Sequence, residues 1–434
     1  MIITVLFLNF KEVKAMLIMK FSLVALVLCV DFGFTQPSAA EFNLFCRIWM
    51  EANDMMLEPD YVYDEDKDQE IVKEIMILFN ATTDNMEDFP ETLWGVKDFL
   101  KEHPPPTHSE SRKRAHREIG NLIMEGEKKI QESRDLAKEA NQRIEEARLS
   151  AAQGFYGDHV KRIPKNDRNL TEILENTSGI FNHNERSLES CGEKNKSTGK
   201  TLLNDFFCVC VGTGVHDSDG PCSPHILPPN RGHRKGGWKA MKYASSGSPA
   251  LHLNESIKTI EKVCKDTLDE TSRKNILGLL AEYVKMIWNG KHRFAEGKKI
   301  FGHSGRKDKR QVSKCDGSGV ESGGTNHDKE RNNADICVDY TSHFKNSHYD
   351  IPWHNKFKNY SDFMEDAKQL EDQILKNRAD LLLLKSQAWD VYSREKGHET
   401  SNLDDKNVSI PFDSTKPTSI SPSISPSTPP SISP

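Results

Sequence analysis

Residues able to do chemistry are few in this chain, and their spacing is poor. Gly212-Thr-Gly214 follows an apolar run, but no third glycine, helix or phosphate-binding Lys-Ser/Thr comes next, so it reads as a turn. His216-Asp-Ser-Asp-Gly220 imitates the opening of a calcium loop yet lacks the downstream Glu, which leaves a cap or turn. His343, His348 and His354 share a loop with Asp339 and Asp350, but their spacings match no helix face and no metal site is assigned. Cys208-Val-Cys210 lacks the two-residue gap that lets one turn hold two thiolates, and no matching second pair follows. Arg306-Lys-Asp-Lys-Arg310 reads as a solvated charge cluster rather than a heparin-type site. Neither Gly-x-Ser-x-Gly nor His-Glu-x-x-His occurs. No catalytic residue, cofactor or metal follows from these patterns, and an enzyme is not the reading.

The cysteines suit covalent structure instead. Cys29 lies in an apolar leader, and eight others remain: Cys46, Cys191, Cys208, Cys210, Cys222, Cys264, Cys315 and Cys337. An even set in an exported chain reads as four disulfides of open pairing. Export itself is expected from Lys20, the apolar run Phe21 to Val30, and the small-x-small site Ser38-Ala39-Ala40, so residues 1–40 read as a signal peptide, with Met19 as an alternative start. Sequons at Asn80, Asn169, Asn176, Asn195, Asn254, Asn359 and Asn407 agree with an exported glycoprotein.

The elements that must carry these features are mostly helical. Charged residues make up 29% of the 434 residues and hydrophobic ones 36%, with a mean hydropathy of -0.65, which suits a high-surface helical rod better than a sphere. The net charge is -6 and no basic stripe with interleaved aromatics occurs, so nucleic acid is not an expected partner. Glu41 to Leu57 is an amphipathic helix, Asp60 to Glu70 an acidic, turn-rich link, and Ile71 to Phe79 and Glu91 to Leu100 are short helices. A long helix follows from Thr107 to Gly154, opened by a Thr107/Glu110 capping box after three prolines. Its heptad seam sets Ile123, Ile130, Ala137 and Ile144 at one position, with Ile119, Gly126, Ser133 and Ala140 at the other. About 45 residues at ~1.5 Å rise make a helix of roughly 70 Å.

From Phe155 to Ala250 the chain is rich in loop residues and carries one strand-like run, Phe206 to Val211, that puts Cys208 and Cys210 on one face. This region is expected to be a disulfide-pinned, loop-rich head. Helices resume from an Asn254 cap to Leu268, break at Glu270-Thr-Ser, and continue from Ile276 to Ile287. Phe301 to Ala334 is charged and Gly-rich, a disordered or variable loop anchored by Cys315 and Cys337. The last helix, Ser361 to Lys396, has Leu370, Ile374, Asn377, Leu381 and Leu384 in its seam, and Asn377 is the kind of polar residue that fixes register. Leu381-Leu-Leu-Leu384 is apolar on every face, so burial on more than one side is expected, by the chain's own core or by a second subunit. Residues 399–434 form a Ser/Thr/Pro-rich stalk.

At the level of ordered motifs, the chain resembles the variant surface glycoproteins of African trypanosomes, nearest the Trypanosoma congolense type. The motifs are Ala40-Glu-Phe-Asn-Leu-Phe-Cys-Arg-Ile-Trp-Met-Glu-Ala-Asn-Asp54, Phe207-Cys-Val-Cys-Val-Gly212, Cys337-Val-Asp-Tyr-Thr341 and Ile351-Pro-Trp353. The resemblance covers residues 41–398 and implies a mainly α, elongated rod on two long antiparallel, coiled-coil-like heptad helices. It also implies a homodimer, a dense coat on the outer face of the plasma membrane, host antibodies as partners and antigenic variation, with no catalysis. A receptor for a host protein or nutrient carrier on the same scaffold is the alternative. The family is held by a glycolipid anchor whose signal ends in a hydrophobic tail. The sequence stops at Ser431-Ile-Ser-Pro434 without one, so the tail is expected beyond Pro434, with a secreted product as the alternative.

Overall fold

A computed structural model describes residues 38–84, 97–164, 167–181, 190–192, 197–211, 221–226, 249–268, 275–288, 298–302, 315, 320–321, 331–332, 337–345 and 348–404. Residues 1–37 of the leader, residues 405–434 of the stalk, and the Gly212–Gly214, His216–Gly220 and Arg306–Arg310 motifs lie outside them; Ser38-Ala39-Ala40 stands at the start of the first helix, and the last helix continues past its expected end at Lys396 to Asp404, into the expected stalk. So do residues 91–96 of the expected helix and the expected break after Glu270. The fold is mainly α. Among the described residues the longer helices are α1 (Ala39–Met56), α2 (Glu65–Ala81), α3 (Ser109–Tyr156), α4 (Asp167–Glu175), α5 (Leu202–Cys210), α6 (Pro249–Thr267), α7 (Ile276–Trp288) and α8 (Pro352–Asp404), with a single helical turn at Thr177–Ile180. Among the described residues six two-residue strands pair antiparallel as β1 (Ile300–Phe301) with β4 (Val338–Asp339), β2 (Val320–Glu321) with β3 (Arg331–Asn332), and β5 (Phe344–Lys345) with β6 (His348–Tyr349). No described helix is long and apolar enough to cross a membrane.

The chain divides into two compact units, residues 1–63 with 135–374, and residues 64–134 with 375–434. In the first, α1 is the centre. Ser38 Oγ accepts from the Glu41 amide at 3.2 Å while the Glu41 carboxylate accepts from the Ser38 amide at 2.8 Å, a reciprocal cap for two otherwise unpaired donors. Behind that cap Phe42, Phe45, Ile48, Trp49 and Ala52 are buried, and α1 packs on α6, α7 and α5. Aromatic edges lock the layers: Phe45 meets Phe206 at 5.4 Å and Phe301 at 5.0 Å, and Trp49 meets Phe155 at 4.6 Å. Antiparallel α3 and α8 approach closely here. A Cβ on Gly154 would sit 2.7 Å from the Phe357 ring, and Ser150 Oγ donates to the Lys356 carbonyl at 2.8 Å.

The second unit packs α2 against antiparallel stretches of α3 and α8. Val72, Ile75, Leu78, Ile119, Ile130, Leu381, Leu384 and Ala388 form its core, with Ile123 partly buried beside them. Gly126 lets the Val72 and Leu381 side chains come to within 3.0 and 3.5 Å of where a Cβ would stand. Asn377 lies in this seam and is satisfied within the chain, donating to Ser133 Oγ at 3.2 Å and accepting from Lys129 Nζ at 3.3 Å. Arg378 reaches the fully buried Asp68 carboxylate and also donates to the Asp64 carbonyl.

Several expected boundaries move, each for a visible reason. The run Phe206 to Val211 is not a strand: Phe206 to Cys210 belong to helix α5 and Val211 is its C-cap. Thr201 caps it, its side chain accepting from the Asn204 amide, and all nine helical residues are buried. A helix buried all round shows no 3.6-residue alternation, so its short apolar run mimics a strand. Cys208 and Cys210 therefore point to different sides. The long helix starts at Ser109 with the His108 carbonyl accepting from the Arg112 amide, so Thr107 stands outside the cap position. α2 begins at Glu65, inside the stretch expected to be a link, because three acidic residues in its first turn suit the helix N-terminus. Pro249 and Pro352, which need no partner for a missing N–H, open α6 and α8; Asn254 thus lies inside α6 rather than capping it. β2 and β3 form an antiparallel pair within the stretch expected to be a disordered or variable loop.

Leu381 and Leu384 are buried as expected, but Leu382 and Leu383 are 49% and 57% exposed. Within the single chain the described partners cover α8 in this unit on its Leu381/Leu384 side only.

Candidate functional site

The most concentrated chemistry in the described residues is a buried carboxylate in the first unit. Asp205 sits in α5, fully out of solvent. Its Oδ1 accepts from the Gly199 amide at 2.9 Å and from Asn204 Nδ2 at 3.0 Å. Its Oδ2 accepts from Tyr340 Oη at 2.5 Å and Trp353 Nε1 at 2.8 Å. Tyr340 Oη in turn lies 2.8 Å from Tyr283 Oη. One side chain thus ties α5, the turn before it, β4 with its exit, the start of α8, and α7.

Local sequence explains why these groups converge. Gly199 turns the chain at φ 74°, a conformation that costs glycine little, and this points its N–H at Asp205. Its carbonyl accepts from the Trp353 amide at 3.1 Å, one of the donors that the first turn of α8 cannot satisfy internally. His343 bridges the same corner, with Nε2 2.7 Å from the Thr198 carbonyl and Nδ1 2.8 Å from the Asp350 carbonyl.

Burial pushes the Asp205 carboxyl above its ordinary range, while its four neutral donors pull it back. Burial, with the Asp205 charge nearby, holds the Tyr283 and Tyr340 hydroxyls well above theirs, so both stay protonated and able to donate. A carboxylate whose lone pairs all face fixed internal donors binds pieces of its own chain. The arrangement is a tie, and its chemistry is hydrogen bonding in a dry core, where each bond is strengthened and each loss is costly.

Disulfides add covalent ties around it. Cys46 of α1 bonds Cys264 of α6 across 218 residues of sequence. Cys191 bonds Cys208 and Cys210 bonds Cys222, so two bridges leave α5 on different sides. Cys315 bonds Cys337, closing the base of the Gly-rich segment.

The other residues singled out by sequence are dispersed. Ile119, Ile130, Ala137, Ile144, Ile374, Asn377, Leu381 and Leu384 are buried within the chain, while Ile123 and Leu370 are partly so. His354, expected in a loop, lies in the first turn of α8 and is fully buried, because Pro352 starts that helix early. Among the described residues no three His, Cys, Asp or Glu side chains are grouped to hold a metal. Asn359 and Asn176 are exposed; Asn80, Asn169 and Asn254 are partly buried, and Asn195 and Asn407 lie outside the described residues. Asn176 Oδ1 accepts from the Gly179 amide at 3.0 Å and caps the next turn. The Asp205 tie was missed by sequence reasoning. Its signal was there: a lone carboxylate inside Leu202-Leu-Asn-Asp-Phe-Phe-Cys-Val209, otherwise almost wholly apolar.

A family model described as Trypanosomal VSG domain matches residues 78–381, well over half of the chain and all of the Asp205 tie. None of the curated proteins compared with the chain matches it.

Proposed function

We propose that this chain, which belongs to the trypanosomal VSG domain family, is a variant surface coat glycoprotein. In this reading it forms a dense layer on the outer face of the parasite plasma membrane and is exchanged for other variants to escape host antibody. The observation that carries the reading is the match over residues 78–381. Assignment to the Trypanosoma congolense type is part of the proposal and rests on the motifs around Cys46, Cys208, Cys337 and Trp353. The physical design supports it. A fold held by a buried carboxylate, four disulfides and a seam of small residues keeps its stability inside, so surface substitutions cost little. Such a chain can change its outward face and still fold.

Attachment is proposed to be through a glycolipid added beyond the Ser/Thr/Pro-rich stalk, after removal of the leader. Asn176 and Asn359 are the exposed sequons among the described residues and are proposed to carry glycans. A second copy is proposed to dock on the face of α8 that carries Leu375, Leu382 and Leu383, which are 56%, 49% and 57% exposed. The Ile and Leu residues of the seam itself are occupied inside each chain.

The test uses antibody raised against the folded domain. It should coat and agglutinate living parasites that express this chain, and leave sister clones expressing other variants untouched. Uniform staining of every clone would count against antigenic variation. Saturable uptake of one serum protein through this chain would favour a receptor on the same scaffold.

A further inference from the structure

Beside the Asp205 tie lies a second buried group that the tie does not use. His354 is fully buried, and neither of its ring nitrogens has a hydrogen-bond partner. Its cage is aromatic and comes from three elements. The Trp353 ring is 4.0 Å away, Tyr283 of α7 5.2 Å and Tyr349 of β6 5.5 Å. Lys358, one turn on, holds its ammonium 4.2 Å from the far Tyr349 ring and adds positive charge to that wall. Other titratable groups near the cage include Tyr340 and Asp205, reached through the Tyr283 hydroxyl and the Trp353 indole, Glu41, whose charge acts on Tyr283, and His348 and Asp350, which flank Tyr349, the Asp350 carboxylate accepting from Asn355 Nδ2. His343 stands behind Tyr340, ring to ring at 6.2 Å. Among the described residues no carboxylate hydrogen-bonds to His354.

We propose that His354 is an acid-sensitive latch: its protonation places an unpartnered charge in the aromatic cage, so below neutral pH the first turn of α8 leaves α7 and β6. Opening is local because the covalent ties lie elsewhere. α1 and α6 are joined by Cys46–Cys264 and α5 is held by two bridges, but among the described residues no disulfide reaches α7 or α8. Releasing Trp353 with the turn also removes one of the four donors on Asp205, so latch and tie open together. The inference is independent of the coat reading.

The sign follows from linkage. Burial, helped by the Lys358 charge, holds the His354 imidazole well below its ordinary range in the closed state. An opened imidazole titrates near 6.5. Below that pH the open state binds the extra proton and the closed state does not, so the latch's contribution is full above about 6.5 and weakens about tenfold in equilibrium constant per pH unit below it. Asp205 runs the other way, since a raised carboxyl in the closed state favours closure as pH falls. His159 is also held low, chiefly by burial, and adds to acid sensitivity from another part of the unit. A comparison with a His354 variant isolates the latch from both.

The experiment is amide hydrogen exchange of the full chain, disulfides intact, at pH 7.5 and 5.5 after correction for intrinsic exchange rates. Peptides covering residues 276–288 and 352–360 should open about tenfold more at pH 5.5, while those of α1 and α6 hold their protection. His354→Phe, which fills the cage with a ring that cannot titrate, should abolish the change. Unchanged protection in the wild type, or an equal change in His354→Phe, overturns the latch. Should that variant fail to fold, ring NMR of the native protein decides. A His354 imidazole that protonates near 6.5 with the closed contacts intact overturns the proposal, and one that stays neutral to lower pH until the turn opens supports it.

Discussion

Replacing Asp205 by Asn keeps the size and shape of the side chain, so a packing account expects almost no effect. The hydrogen-bond geometry gives a different answer. Each carboxylate oxygen accepts from two donors, Gly199 and Asn204 on one side, Tyr340 and Trp353 on the other. An amide must point its NH2 at one of those pairs. Turned toward Tyr340, it can donate to that hydroxyl, which then donates to Tyr283, but the Trp353 indole N–H is left facing a donor. Turned the other way, it strands the Gly199 amide, while Asn204 keeps the Ser190 and Ser197 carbonyls. One stranded buried donor costs about 1–3 kcal/mol. Losing the carboxylate's charge also weakens the bonds that survive, so about 2–3 kcal/mol is expected for Asp205→Asn. Asp205→Ala strands both Trp353 and Gly199 and leaves a small void, for about 3–5 kcal/mol. Urea unfolding of the disulfide-intact protein, followed by tryptophan fluorescence, measures both. Asp205→Asn within 0.5 kcal/mol of wild type, on the order of the scatter for neutral substitutions, would refute the tie.

Further substitutions probe the rest of the framework. Gly154→Ala forces a methyl to 2.7 Å from Phe357 and should destabilise by about 1–3 kcal/mol, whereas Gly278→Ala, whose nearest neighbour is Asn275 Oδ1 at 3.1 Å, should cost less than 1 kcal/mol or stabilise; paired thermal melts compare them. Removing Cys46–Cys264 as a double alanine variant opens a 218-residue loop, and chain entropy puts the loss at about 5 kcal/mol, read from the urea midpoint under non-reducing conditions. Asn377→Ala deprives Ser133 and Lys129 of a shared partner and should cost about 1–2 kcal/mol, with the loss seen as faster exchange of amides in the second unit. Leu382→Glu with Leu383→Glu should leave the melting temperature of the chain within a few degrees and convert a dimer to a monomer in sedimentation equilibrium; an unchanged mass rules out that face as the interface.

What the sequence made legible follows from periodicity. The two long helices were readable because Ile119, Ile130, Ile144, Ile374 and Leu381 recur at heptad spacing over many turns, and every turn repeats the evidence. α5 was not, since burial on all sides erases the polar face that would have revealed a helix. Asp205 was visible only as an oddity, for its partners Tyr340 and Trp353 stand 135 and 148 residues away and nothing local links them. In retrospect the motifs carrying the family resemblance meet at this point. Phe207-Cys208 follows Asp205 in α5, Tyr340 ends Cys337-Val-Asp-Tyr, and Trp353 ends Ile351-Pro-Trp. Leu382 and Leu383 mark the opposite limit. A sequence shows that a leucine is apolar, but whether its own chain covers it depends on which elements pack there.

The central claim, that the chain is a coat protein, is tested most directly by counting it on the surface. Living parasites expressing the gene with its own 3′ end would be labelled with a membrane-impermeant biotin reagent and their surface proteins quantified by mass spectrometry. The account expects this chain to be the dominant surface protein and to be released by a phosphatidylinositol-specific phospholipase C. A minor surface species, or a chain confined to internal compartments, would contradict it.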